Sequence, residues 1–290
     1  MKTRTAKLAV IGLLAAMGLV AGACVPPPPP APKNWSLKAT SITSNDSQDE
    51  VRIFGACVAI PNCDDEAYLI HIGFKVTIGQ ANSAETWVVN GDKINGLSEG
   101  STRVLSGGQQ APITFKNIQP LDVLDVFNPN SKLTVFGTYI WAAEEDTINS
   151  LSTGANGLAN TFKSVLNNLL ATATLPSSEQ AIIDLVLNAL FSNIGSLFKI
   201  IVSNIPCAGL CDDVLGGAVY VGIGAGGTLG TTLNSLLTGV TVPNINIPLV
   251  DVPPDVLGGG IFTLTGTKNY TQTFTGADGQ HTYSFQTGPA

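Results

Sequence analysis

Histidine is nearly absent from this 290-residue chain, which has only His71 and His281. Acid–base and nucleophilic catalysis most often recruit imidazole, and no G-x-S-x-G elbow is present to seat a reactive serine. No nucleophile–base constellation emerges, and the expected role is non-enzymatic. Charge is sparse as well, at 12% Asp, Glu, Lys and Arg. Long apolar runs are also missing: Leu8 to Val20 falls well short of the roughly 20 residues that a membrane-spanning helix needs.

What is present begins at the N-terminus. Lys2, Arg4 and Lys7 precede that apolar run, Ala21-Gly22-Ala23-Cys24 follows it, and Pro26 to Pro30 with Pro32 come next. A basic start, a short hydrophobic segment and small residues before a cleavage point describe a signal peptide over residues 1–23. Residues 1–33 resemble the lipid-anchored start of exported bacterial lipoproteins, with a composition of actinobacterial style. The resemblance implies a diacylglycerol-modified Cys24 and a domain held at the extracytoplasmic face of the cell membrane; it implies no activity. Ala21 stands where Leu or Val is usual, and Ala21-x-Ala23 also suits ordinary signal peptidase, so a secreted protein is the alternative. The prolines of residues 24–33 favour polyproline II, a spacer of about 20 to 30 Å at roughly 3.1 Å per residue.

The chain has five cysteines, an odd number. In an exported protein this leaves one thiol to be explained, and lipidation of Cys24 explains it. Cys57, Cys63, Cys207 and Cys211 form two close pairs, and an oxidising exterior favours disulfides. Cys57 to Cys63 and Cys207 to Cys211 is the simplest of the three possible connectivities. The spacings do not fit a zinc ribbon.

Loss of residues 1–23 would remove Lys2, Arg4 and Lys7 and no acidic residue, leaving 11 basic against 21 acidic side chains, a net of −10. Phosphate recognition needs a basic patch, so nucleic acid is not an expected partner. The same acidity disfavours adhesion to an anionic lipid surface other than through the anchor.

Residues 34–290 read as one β-rich domain. The clearest strand is Tyr68 to Ile78, where Tyr68, Ile70, Ile72, Phe74 and Val76 share one face, and His71, Lys75 and Thr77 lie on a face expected to be wet. Further strands are expected at Trp35 to Thr43, Val51 to Ile60, Glu85 to Val89, Ile113 to Ile118, Lys132 to Trp141, Ile261 to Lys268, Tyr270 to Thr275 and Thr282 to Gln286. Lys132 to Trp141 is apolar on both faces, so something must cover each. Leu158, Phe162, Val165, Leu166, Leu169 and Leu170 recur at helical spacing, and Ser177-Ser178-Glu179-Gln180 has the form of a capping box opening a second helix that runs to about Ser203. Residues 207–260 read as loop with short strands near Ala218 to Val221 and Leu237 to Val242. The expected fold is mainly β, an antiparallel sandwich or partly open barrel with a helical hairpin inserted at about 143–205.

Three features carry candidate chemistry. Gly222-Ile223-Gly224-Ala225-Gly226-Gly227 matches G-x-G-x-x-G, but continuing glycines and Pro243 argue for a tight loop rather than a nucleotide site. Asp64-Asp65-Glu66, Glu144-Glu145-Asp146 and Asp212-Asp213 could serve a carboxylate-dependent hydrolase or attract calcium, although none has a calcium-loop spacing. The apolar hairpin could pack on the sheet or carry an apolar ligand. The expectation is a surface lipoprotein that binds a protein, glycan or apolar ligand, without cofactor, metal or nucleotide; a secreted carboxylate-dependent hydrolase and an apolar-ligand carrier are the alternatives.

Overall fold

The computed structural model describes residues 30–47, 52–53, 56–57, 65–122, 131–144, 151–189, 213–237, 257–276 and 279–290. Contacts divide the chain into Met1–Ala31 and Pro32–Ala290, and every strand and helix described lies in the second unit. In order these are β1 (Lys33–Ser47), β2 (Arg52–Ile53), β3 (Ala56–Cys57), β4 (Asp65–Thr77), β5 (Glu85–Asn90), β6 (Ile94–Leu97), β7 (Thr102–Val104), β8 (Ile113–Ile118), β9 (Thr134–Glu144), helix α1 (Leu151–Leu169), helix α2 (residues 179–189), β10 (Asp213–Ile223), helix α3 (Gly227–Leu236), β11 (Leu257–Thr263), β12 (Lys268–Thr275) and β13 (Gly279–Pro289).

Two sheets stack. One runs β12-β13-β1-β7, with β8 also pairing β1; the other runs β11-β10-β9-β4-β5, with β6 also pairing β4. The mainly-β sandwich with helices inserted between strands is therefore the fold, and neither sheet closes into a barrel. Its pairing is not wholly antiparallel: β10 and β11 run parallel, with Gly217 opposite Leu257 and Ile223 opposite Thr263. The first and last strands meet, β1 pairing β13 from Trp35 opposite Pro289 to Ser47 opposite Gly279.

The two-faced apolar pattern of β9 explains the layering. Leu133, Val135, Tyr139, Trp141 and Ala143 bury in one core, while Phe136, Ile140 and Ala142 bury in another. The first core lies under the helices. Leu158, Phe162, Leu166 and Leu170 of the α1 region, with Ile182, Ile183 and Val186 of α2, pack there against Ile70, Ile72 and Phe74 of β4. The Phe74 and Phe162 rings meet edge-on at 5.0 Å. Thr86 Oγ1 donates to the Ala159 carbonyl at 2.9 Å, tying β5 to α1. Helix α2 opens one residue later than the capping box implies: the Ala181 N–H donates to Ser178 Oγ at 3.4 Å, and the Gln180 amide reaches forward to Asp184 Oδ1 at 2.9 Å.

The second core lies between the sheets and is aromatic. Trp87, Phe115, Phe136 and Phe262 follow one another at centroid distances of 5.8, 5.0 and 5.7 Å, in the offset and edge-on arrangements that ring quadrupoles favour. This core overturns the wet-face expectation at His71 of β4, while Lys75 and Thr77 toward the strand's end stay partly exposed. His71 is fully buried, because the facing sheet covers what alternation alone assigns to water.

Residues 207–260 also differ from expectation. β10 is an eleven-residue strand between β9 and β11, and α3 follows it directly. Its glycines answer to crowding. A Cβ at Gly217 would collide with the Tyr139 ring, and one at Gly222 with Phe136. Leu237 caps α3 in a helical conformation rather than opening a strand; residues 238–242 lie outside the described residues. Strand β9 extends to Glu144, so the helical insertion begins after it. Of Val51 to Ile60, only the short β2–β3 pairing is described.

Candidate functional site

Cys24, Cys63, Cys207 and Cys211 lie outside the described residues, and of Cys57 only the backbone is described, in β3 opposite Arg52. The two histidines are enclosed. His71 Nδ1 lies 3.5 Å from Thr138 Oγ1, and burial drives its pKa from 6.5 down to about 3, so the ring is neutral. His281 is fully buried as well. Of the acidic clusters, Asp64, Glu145, Asp146 and Asp212 lie outside the described residues. Glu66 accepts a salt bridge from Lys93 Nζ at 2.8 Å. Glu144 is buried between the sheets; burial, with the nearby Glu144 adding to it, raises the Tyr283 phenol far above its ordinary range. Among the described residues, no three His, Cys, Asp or Glu side chains gather as a metal site.

The G-x-G-x-x-G stretch lies in more of its expected context than its composition suggests. It joins β10 to α3, and β11 then runs parallel to β10, which makes a strand–helix–parallel-strand unit. The anion position at the helix start is already filled from within. Asp122 Oδ1 accepts the Leu229 N–H at 3.2 Å, and a side chain at Gly227, whose φ is +53°, would strike the same carboxylate. The other glycines serve packing: a Cβ at Gly224 would stand 2.7 Å from the Thr134 carbonyl, and one at Gly226 3.0 Å from Pro120. A carboxylate at a helix N-terminus satisfies the same open N–H groups and dipole that a phosphate would.

Among the described residues, one accessible surface is the outer face of the five-stranded sheet. Alternation turns Trp35, Leu37, Phe115, Phe274, Tyr283 and Phe285 inward. It turns hydroxyl and amide side chains out. Thr273, Thr282, Thr43 and Thr102 stand opposite one another in a single row across β12, β13, β1 and β7. Thr273 and Thr282 share a hydrogen bond of 2.8 Å, as do Thr43 and Thr102, and Asn45 Nδ2 donates to Thr282 Oγ1 at 2.6 Å. The next row is Thr271, Ser284, Ser41 and Val104, and beyond it Asn269, Gln286 and Lys38, with the Gln286 amide donating to Asn269 at 3.3 Å. On the other side stand Thr275, Gln280 and Asp46. Strand geometry spaces these side chains by about 4.8 Å across the sheet and about 6.7 Å along it.

In these rows charge enters only at Lys38 and Asp46, and no aromatic ring faces out. Sequence reading missed this face because each strand alone shows ordinary alternation, and the rows exist only once four strands far apart in the sequence are in register. No protein family matches the chain, and no curated protein or solved structure does.

Proposed function

We propose that this chain is an exported, lipid-anchored binding protein without catalytic activity, whose ligand surface is the outer face of the five-stranded sheet. The observation that carries the reading is the row Thr273–Thr282–Thr43–Thr102, four aligned hydroxyls held by cross-strand hydrogen bonds on an accessible face. Groups that could do acid–base chemistry support it from the other side, since His71 and His281 are buried in the packed interior. The N-terminal signal and Cys24 supply the location in this proposal, and the paired cysteines its oxidised stabilisation. The test is a photo-crosslinking side chain placed in the exported protein on living cells, at Thr271 or Thr282 and, for comparison, at the exposed Asn160 or Lys163 of α1. Adducts from the sheet positions and not from the helix positions are expected. Adducts confined to the helix, or none from the sheet, would overturn the assignment of the face.

A further inference from the structure

Resting on that reading of the sheet face, we propose that its ligand is an uncharged polysaccharide, gripped by hydrogen bonding alone. Electrostatics selects the class. The mature chain that signal cleavage would leave is strongly acidic, yet the outward residues of this sheet carry only two separate cations, Lys38 on β1 and Lys116 on β8, and one anion, Asp46. A polyanion would meet repulsion from the molecule as a whole and find no basic patch here. A polycation would be drawn to the acidic surface elsewhere instead of to this face. A neutral polymer is the partner whose charge matches.

Hydrogen-bonding chemistry narrows it further. Threonine and serine hydroxyls both donate and accept, as do the amide groups of Gln286, Asn269 and Gln280. A sugar hydroxyl has the same dual character, so each contact can form in either sense. A peptide backbone strand instead needs an open sheet edge rather than a face. The face is preorganised. Thr43 with Thr102, and Thr273 with Thr282, are already held in place by their mutual bonds, so little side-chain order has to be imposed on binding. The row is four strands wide, about 14 Å at the usual strand spacing, which suits one extended sugar chain laid across the strands. With no aromatic ring outward, stacking makes no contribution, and affinity must come from repetition of weak polar contacts along the polymer.

The experiment is co-sedimentation of the full mature chain with insoluble neutral glucans, mannan and cellulose, at low and high salt, beside the charged polymers alginate and chitosan. Retention on a neutral polysaccharide that salt does not weaken is the expected result. The double variant Thr43→Val with Thr282→Val keeps side-chain shape at exposed strand positions and should weaken retention by about tenfold, as loss of a few net hydrogen bonds implies. Thr271→Val provides a second, independent reading should the double variant fold poorly. No retention on any neutral polymer, retention on alginate, retention on chitosan that the Thr43→Val with Thr282→Val variant weakens, or indifference of neutral-polymer retention to both sets of variants would overturn the proposal. Photo-adducts from Thr282 to a protein would end the polysaccharide assignment while leaving the face as the binding surface; adducts only from α1 would end both.

Discussion

The indole N–H of Trp35 donates to Thr287 Oγ1 at 2.9 Å, joining residues 252 positions apart in sequence. Thr287 passes the bond on, its hydroxyl donating to the Ser36 carbonyl at 2.9 Å. Both side chains are buried, so the two ends of the domain are closed by a fully satisfied polar link inside an aromatic core. Replacing Thr287 with Val would leave the indole donor without an acceptor and should cost about 1–3 kcal/mol in chemical denaturation. Thr287→Ser should recover most of that loss, and equal stability of the Val variant and the parent would show that the link contributes nothing.

His71 makes the fold acid-sensitive. Its pKa is 6.5 when unfolded and about 3 in the folded chain, so between those values the unfolded state binds more protons. Stability is therefore fully present above pH 6.5 and falls as pH drops toward 3, by up to about 1.4 kcal/mol per pH unit from this one group. The variant His71→Leu should show a visibly shallower decline between pH 6.5 and 4 in paired urea titrations. Parallel declines would refute the assignment of the sensitivity to His71.

Asp122 caps α3 from 107 residues away, through the Leu229 N–H. Asp122→Ala should cost about 1 kcal/mol, with Asp122→Asn close to the parent, because the amide oxygen can still accept the bond. Gly227→Ala should be worse than its conservative appearance suggests, since the residue has φ of +53° and its new methyl would meet the same carboxylate. Thermal melts of the three variants settle the order.

Non-reducing peptide mapping of protein recovered from membranes tests the cysteine proposal. Cys57–Cys63 and Cys207–Cys211 are the expected pairs, with a lipid-modified Cys24 in the N-terminal peptide. The alternative is concrete: β4 and β10 enter their sheet at the same end on either side of β9, Ala67 and Asp213 both standing opposite Glu144. A Cys63–Cys211 peptide would therefore overturn the local pairing without requiring a different fold. Cys24→Ser should move the protein from the membrane fraction to the soluble one.

Local pattern was enough wherever a side chain reports its own surroundings. The split of Leu133 and β9 into Leu133, Val135, Tyr139 and Trp141 on one face and Phe136 and Ile140 on the other is written in the alternation, and so is the demand that both faces be covered. The helical spacing of Leu158, Phe162, Leu166 and Leu170 likewise identifies what covers one of them. β10 was legible only as a short run at Ala218 to Val221, for the opposite reason. Gly217 and Gly222 show no side-chain periodicity, and they are glycine because Tyr139 and Phe136 occupy the space that a Cβ would need. Helix α3 was hidden because its cap comes from Asp122 and not from its own first turn.

The sequence by itself determined a β-rich sandwich with a buried helical layer, since alternation, helical spacing and turn residues are local signals. It also carried the N-terminal pattern on which the export proposal rests and the count of cysteines. Only the tertiary structure decided that His71 lies in a dry interior, that Asp122 fills the helix start beside the glycine stretch, and that Thr273, Thr282, Thr43 and Thr102 form one row. Each depends on register between segments far apart in the chain, and sheet register is set by the packing of whole faces rather than by any one strand.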